Sequence, residues 1–124
     1  MKFSLVLCLL PAVILAQDKQ ISREEETCRE QEGASDEDVE MLQSFMTPET
    51  RTTKCYYSCV MQKIGYSDGQ RFDKEGFLST AVNFSSKDRE TMQRIADQCE
   101  GTTNEDHCEL AADIAECIIP SRQN

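Results

Sequence analysis

Seven cysteines and one histidine are the residues of this chain best suited to thiol, disulfide or zinc chemistry. Cys8 lies in an apolar N-terminal run, which leaves Cys28, Cys55, Cys59, Cys99, Cys108 and Cys117. Zinc would need thiolates at set spacings, and Cys99, His107, Cys108 and Cys117 do not have them. A thiol or serine enzyme would need a base held against the nucleophile, and His107 has no partner that the pattern places beside it. No catalytic residue, metal site or cofactor is therefore expected. What remains for an even set of cysteines in a short exported chain is oxidation to three disulfides.

The elements that position these cysteines limit how they pair. Lys54 to Gly65, KCYYSCVMQKIG, reads as an amphipathic helix. At about 100° per residue Cys55 and Cys59 share one side, while Tyr56, Tyr57, Val60, Met61 and Ile64 fill an arc on the other. Successive turns of one helix do not bring two sulfurs to bonding geometry, so each cysteine reaches a different segment. Cys108 and Cys117 lie on a second helix, predicted over Asp106 to Ile119, about 13 Å apart along its axis and on opposite sides. They cannot bond each other either. Ten of the fifteen pairings of six cysteines survive these exclusions.

Residues 1–16, MKFSLVLCLLPAVILA, have a basic start, an apolar run from Phe3 to Leu15 and a small residue before polar Gln17. This is the pattern of a secretory signal peptide. The run is shorter than the ~20 residues of a spanning helix, so no stable membrane insertion is expected. Residues 17–124 then form one domain, secreted into extracellular fluid. Removing Lys2 with the leader leaves 12 basic against 23 acidic residues, a net charge of −11. That balance offers nothing to phosphates, which excludes nucleic acid as a partner.

Along the chain, Ser22 with Glu25 forms a capping box for a polar helix over Arg23 to Glu32, ended by Gly33. Ser35 with Asp38 caps a second, apolar through Val39, Met41, Leu42, Phe45 and Met46 and stopping at Thr47-Pro48. Tyr66 to Gly76 reads as loop, and its spaced acids Asp68, Asp73 and Glu75 miss the calcium-loop pattern. A short helix near Glu75 to Val82 and a clean amphipathic one over Ser86 to Cys99 follow. Asn83-Phe84-Ser85 is a glycosylation sequon by pattern.

The cysteine spacing, with 26, 3, 39, 8 and 8 intervening residues, resembles the six-cysteine signature of insect odorant-binding proteins. The gaps of 3 and 8 are that signature's fixed ones. The resemblance covers Gln17 to Cys117. It implies the pairing Cys28 with Cys59, Cys55 with Cys108 and Cys99 with Cys117. It also implies an all-α, compact bundle of about six helices stapled around an apolar cavity, and a carrier of small hydrophobic ligands such as odorants or pheromones.

The apolar residues that would wall such a cavity are Leu42, Phe45, Met46, Tyr57, Met61, Ile64, Phe77, Leu78, Met92, Ile95, Ile114 and Ile118. Of the three tyrosines, Tyr57 is expected to meet a ligand's oxygen. Seven residues follow Cys117, with a proline third, too few to fill a cavity. Ile118 and Ile119 are expected to seal an edge of the core, with the last residues outside. Two alternatives stay open: a same-fold carrier of amines or lipids in saliva, venom or reproductive fluid, and a disulfide-stapled protein that signals to a protein partner. A homodimer and a chemoreceptor complete the set of partners that the sequence leaves undecided.

Overall fold

The computed structural model describes residues 23–80 and 85–123 and, among them, six helices. These are α1 (Arg23–Glu32), α2 (Asp36–Gln43), α3 (Arg51–Ile64), α4 (Lys74–Ser79), α5 (Ser86–Cys99) and α6 (His107–Gln123). The leader, the Ser22 cap, Val82 and the sequon asparagine lie outside the described residues.

Local chemistry starts each helix from α2 onward. Ser35 and Asp38 form a reciprocal capping box at α2, the serine accepting from the Asp38 N–H at 3.1 Å and the carboxylate from the Ser35 N–H at 2.9 Å. At α3, α4 and α5 the side chains of Thr50, Asp73 and Ser85 accept from the backbone N–H groups of Thr53, Gly76 and Asp88. At α6 the Asp106 carboxylate accepts from the N–H groups of Cys108 and Glu109. In the preceding loop Asp68 accepts from the N–H groups of Gln70 and Arg71. Asp68 and Asp73 in that stretch thus serve a turn and a cap.

Helix ends depart from expectation in two places. The second helix was expected to reach Met46 but stops at Gln43, because Phe45 adopts the left-handed conformation at φ 58°. Phe45 N–H then bonds the Leu42 carbonyl and Met46 N–H the Met41 carbonyl, the paired bonds of a Schellman turn. A side chain at that φ costs about 1–2 kcal/mol, which is why glycine usually sits there. The last helix was expected to end at Ile119 but runs through Pro120 to Gln123. Proline cannot donate to the ladder and crowds the carbonyl four residues back, but with three helical residues after it the disturbance is confined to the end of the helix.

Three disulfides and one close backbone contact hold the helices together. Cys59 on α3 bonds Cys28 on α1, Cys55 on α3 bonds Cys108 on α6, and Cys99 on α5 bonds Cys117 on α6. Helix α3 packs most extensively on α6 and next on α1. It is buried through Thr53 and Tyr56 to Met61. Arg51 and Lys54 add ion pairs to Asp106 and Glu109 on the side facing α6. Gly65 ends α3 at φ 93°, and Gly76 in α4 lies so close that a Cβ there would stand 1.8 Å from the Gly65 carbonyl oxygen. Beneath this frame Tyr56, Tyr57, Phe77, Ile95, Leu110 and Ile114 form the fully buried core.

Candidate functional site: an apolar cavity

A cavity of about 550 Å³ opens between the helices, a volume typical of small-molecule sites. From the end of α2 come Leu42, Phe45 and Met46, from α3 Tyr57, Met61 and Ile64, and from α4 Phe77. Met92 and Ile95 of α5 and Ile118 of α6 complete the part of the wall that the sequence anticipates. Phe45 at 53% exposure, Met46 at 52% and Ile64 at 38% form the apolar part of the rim where it meets solvent, and exposed Gln43 and Asp88 the polar part.

Two of the anticipated residues are elsewhere. Ile114 is fully buried in the core, and Leu78 is half-buried against the core; neither lines this cavity. On α6 the lining residues are Ala115, Ile118 and Ile119, spaced i, i+3, i+4 as one face of a helix requires. Ile114, one residue and about 100° before Ala115, points into the packed interior.

The lining also contains residues that sequence reasoning missed. Val60 belongs to the arc of α3 already noted, and Asp88 and Thr91 fall with Met92 and Ile95 at i, i+3, i+4, i+7 on α5. That spacing was visible in the sequence, but polar members of an amphipathic helix read as its solvated face. Glu25 of α1, Gln43 of α2 and Tyr66 complete the wall.

The three tyrosines have three different fates. The Tyr57 hydroxyl donates to the Met46 backbone carbonyl at 2.5 Å, so its one proton is committed to the protein. With the proton so placed, a ligand's oxygen could meet this hydroxyl only by donating to its lone pairs. Burial raises the Tyr57 pKa far above that of a free phenol, with Tyr56 adding to the effect. Tyr56 is fully buried away from the cavity, and burial, followed by Glu25 and Glu26, pushes its pKa up to about 12. Tyr66 lines the cavity with its ring edge-on to Phe77, the centroids 4.9 Å apart, and its hydroxyl has no hydrogen-bond partner among the described residues.

His107 does have a partner, contrary to the sequence reading. Its Nδ1 lies 2.9 Å from the Ser58 hydroxyl, which also accepts from the Gln62 amide at 3.0 Å. Ser58 is 2% exposed, so this pair links α3 to α6 and its hydroxyl does not face a substrate.

General odorant-binding protein 19d of Drosophila melanogaster is 38% identical to this chain over 96 residues, which are 73% of the chain and 64% of that protein. The chain thus spans just under two thirds of that relative's length. General odorant-binding protein 28a of the same fly is 30% identical over 98 residues, 75% of the chain and 68% of the relative. Among solved structures, odorant-binding protein dmelOBP28a from Drosophila melanogaster superposes with a TM-score of 0.72 at 26% identity, covering 81% of this chain and 87% of the other. The PBP/GOBP family model matches residues 12–121, and together with the disulfide frame and the helix order this establishes that the chain belongs to the PBP/GOBP family of odorant-binding proteins.

Proposed function

We propose that the protein is a secreted carrier which binds small hydrophobic ligands in this cavity, with residues 1–16 as its leader and 17–124 as the carrier domain. The observation that carries the reading is the cavity itself, walled mainly by aliphatic, aromatic and methionine side chains from several helices, three of which reach its rim. A ligand that buries ~300 Å² of apolar surface gains about 7.5 kcal/mol at ~25 cal/mol per Å². That is near the −8.2 kcal/mol of a micromolar Kd, before ordering costs are subtracted. Met46, Met61 and Met92 add flexible, polarisable wall that accommodates ligands of differing shape. A filled-core signalling protein would have no use for such a space.

Displacement of a fluorescent apolar probe from the oxidised protein tests the proposal. Volatile alcohols and esters are expected to displace the probe at micromolar concentrations. A probe that does not bind, or binds equally well to the reduced and unfolded chain, would overturn the carrier reading.

A further inference from the structure

The polar groups among the described residues that line the cavity differ in what they have left to offer. The Tyr57 hydroxyl donates to the Met46 carbonyl, and the Thr91 hydroxyl to the Lys87 carbonyl one turn back along α5 at 3.2 Å. Both protons are already used. Gln43 and Asp88 are exposed at the rim, where water competes for them. A carboxylate such as that of Glu25 accepts hydrogen bonds and does not donate them.

Tyr66 differs from all of these. Its hydroxyl has no hydrogen-bond partner among the described residues, yet the residue itself is held on three sides. Its backbone N–H donates to the Met61 carbonyl at 2.8 Å, its carbonyl accepts from the Asp73 N–H at 2.8 Å, and its ring packs edge-on against Phe77, a buried residue of the same wall. A donor fixed in this way loses little freedom on meeting a ligand. A carbonyl oxygen that leaves water for an apolar site needs such a donor. Tyr66 can supply the bond without breaking one in the protein, whereas Tyr57 and Thr91 would each have to release a backbone carbonyl. Building on the carrier reading above, we propose that Tyr66 is the polar anchor of the cavity, donating its hydroxyl proton to the oxygen of neutral carbonyl ligands such as esters and ketones and so selecting them over hydrocarbons of the same length.

Methyl octanoate and decane have chains of equal length and differ in the ester group, and the binding of each to the oxidised protein can be read from its partitioning into headspace vapour. Tyr66→Phe removes the hydroxyl and keeps the ring on Phe77. It is expected to weaken methyl octanoate about fivefold and decane by less than about twofold. Thr91→Val is expected to leave the ratio of the two affinities as it is in the parent. The carbonyl stretching band of bound, isotopically labelled methyl octanoate should lie at lower frequency in the parent than in Tyr66→Phe, as a hydrogen bond to that oxygen requires. An ester affinity that Tyr66→Phe leaves unchanged, or an equal loss for ester and alkane, overturns the inference and leaves the carrier reading standing. A ratio lost in Thr91→Val overturns it too. So does a band in the parent at the position found in alkane solvent, which needs no variant. Failure of both ligands to bind the parent overturns the carrier reading, and this inference with it.

Discussion

The hydroxyl of Tyr57 on α3 is bonded to the backbone carbonyl of Met46, the residue that follows the left-handed turn at Phe45. One buried side chain therefore fixes the segment that forms the mouth of the cavity. Replacing Tyr57 with Phe should lower stability by about 1 kcal/mol in urea unfolding with the disulfides intact. Affinities for alcohol and hydrocarbon probes should fall together as the mouth loosens. A loss confined to the alcohol would mean that the hydroxyl serves the ligand after all.

Gly76 should not tolerate a side chain. An alanine Cβ would meet the Gly65 carbonyl oxygen at 1.8 Å, and both sides of that contact are backbone, so neither can rotate away. Gly76→Ala is expected to cost about 2 kcal/mol or more, read as a lower midpoint of thermal or urea unfolding. An unchanged midpoint would show that α4 can lift from α3 without loss.

Acid should weaken the fold through two identifiable carboxylates. The Thr53 hydroxyl donates to Asp38 at 2.6 Å and holds its pKa below the ordinary value, while Arg51 at 2.7 Å brings Asp106 down to about 2. In both, the folded pKa is lower than the unfolded one. The stability that they contribute is therefore complete above about pH 4 and is lost as pH falls through the folded values. Asp38→Asn with Asp106→Asn should flatten the dependence of stability on pH between about 5 and 2. Parallel curves for the variant and the parent would assign the acid response to other groups.

Cys99 and Cys117 join α5 to α6 across 18 residues, and both helices line the cavity. Converting the pair to serines is expected to remove about 3 kcal/mol of stability and to weaken probe binding several-fold as the two walls drift. Retained affinity at reduced stability would show that packing alone sets the spacing of the walls.

The elements with fixed chemical signals were legible in the sequence. Ser35 and Asp38 announced a helix start, Gly65 a helix end, and the spacing of Cys55 and Cys59 required two separate partners. The turn at Phe45 was not legible, since a phenylalanine gives no sign that tertiary contacts will hold it at positive φ. The polar part of the cavity was equally hidden. Asp88 and Thr91 look like solvent-facing members of α5, and Asp88 is indeed exposed, yet both border the cavity. Ile114 and Ile118 are one turn apart and alike in type, and only the rotation of α6 sends one to the core and the other to the cavity.

Gly65 and Gly76 meet through main chain, and the cross-links meet through sulfur, so the positions that keep these helices in place contribute few of the atoms a ligand would touch. Leu42, Met61, Met92 and Ile118 do the opposite, facing the cavity while supplying none of those cross-links. Scaffold and lining can therefore diverge at different rates. Two proteins with the same cysteines and the same helix placement can differ in what their cavities accept, and a shared frame is no guide to a shared ligand.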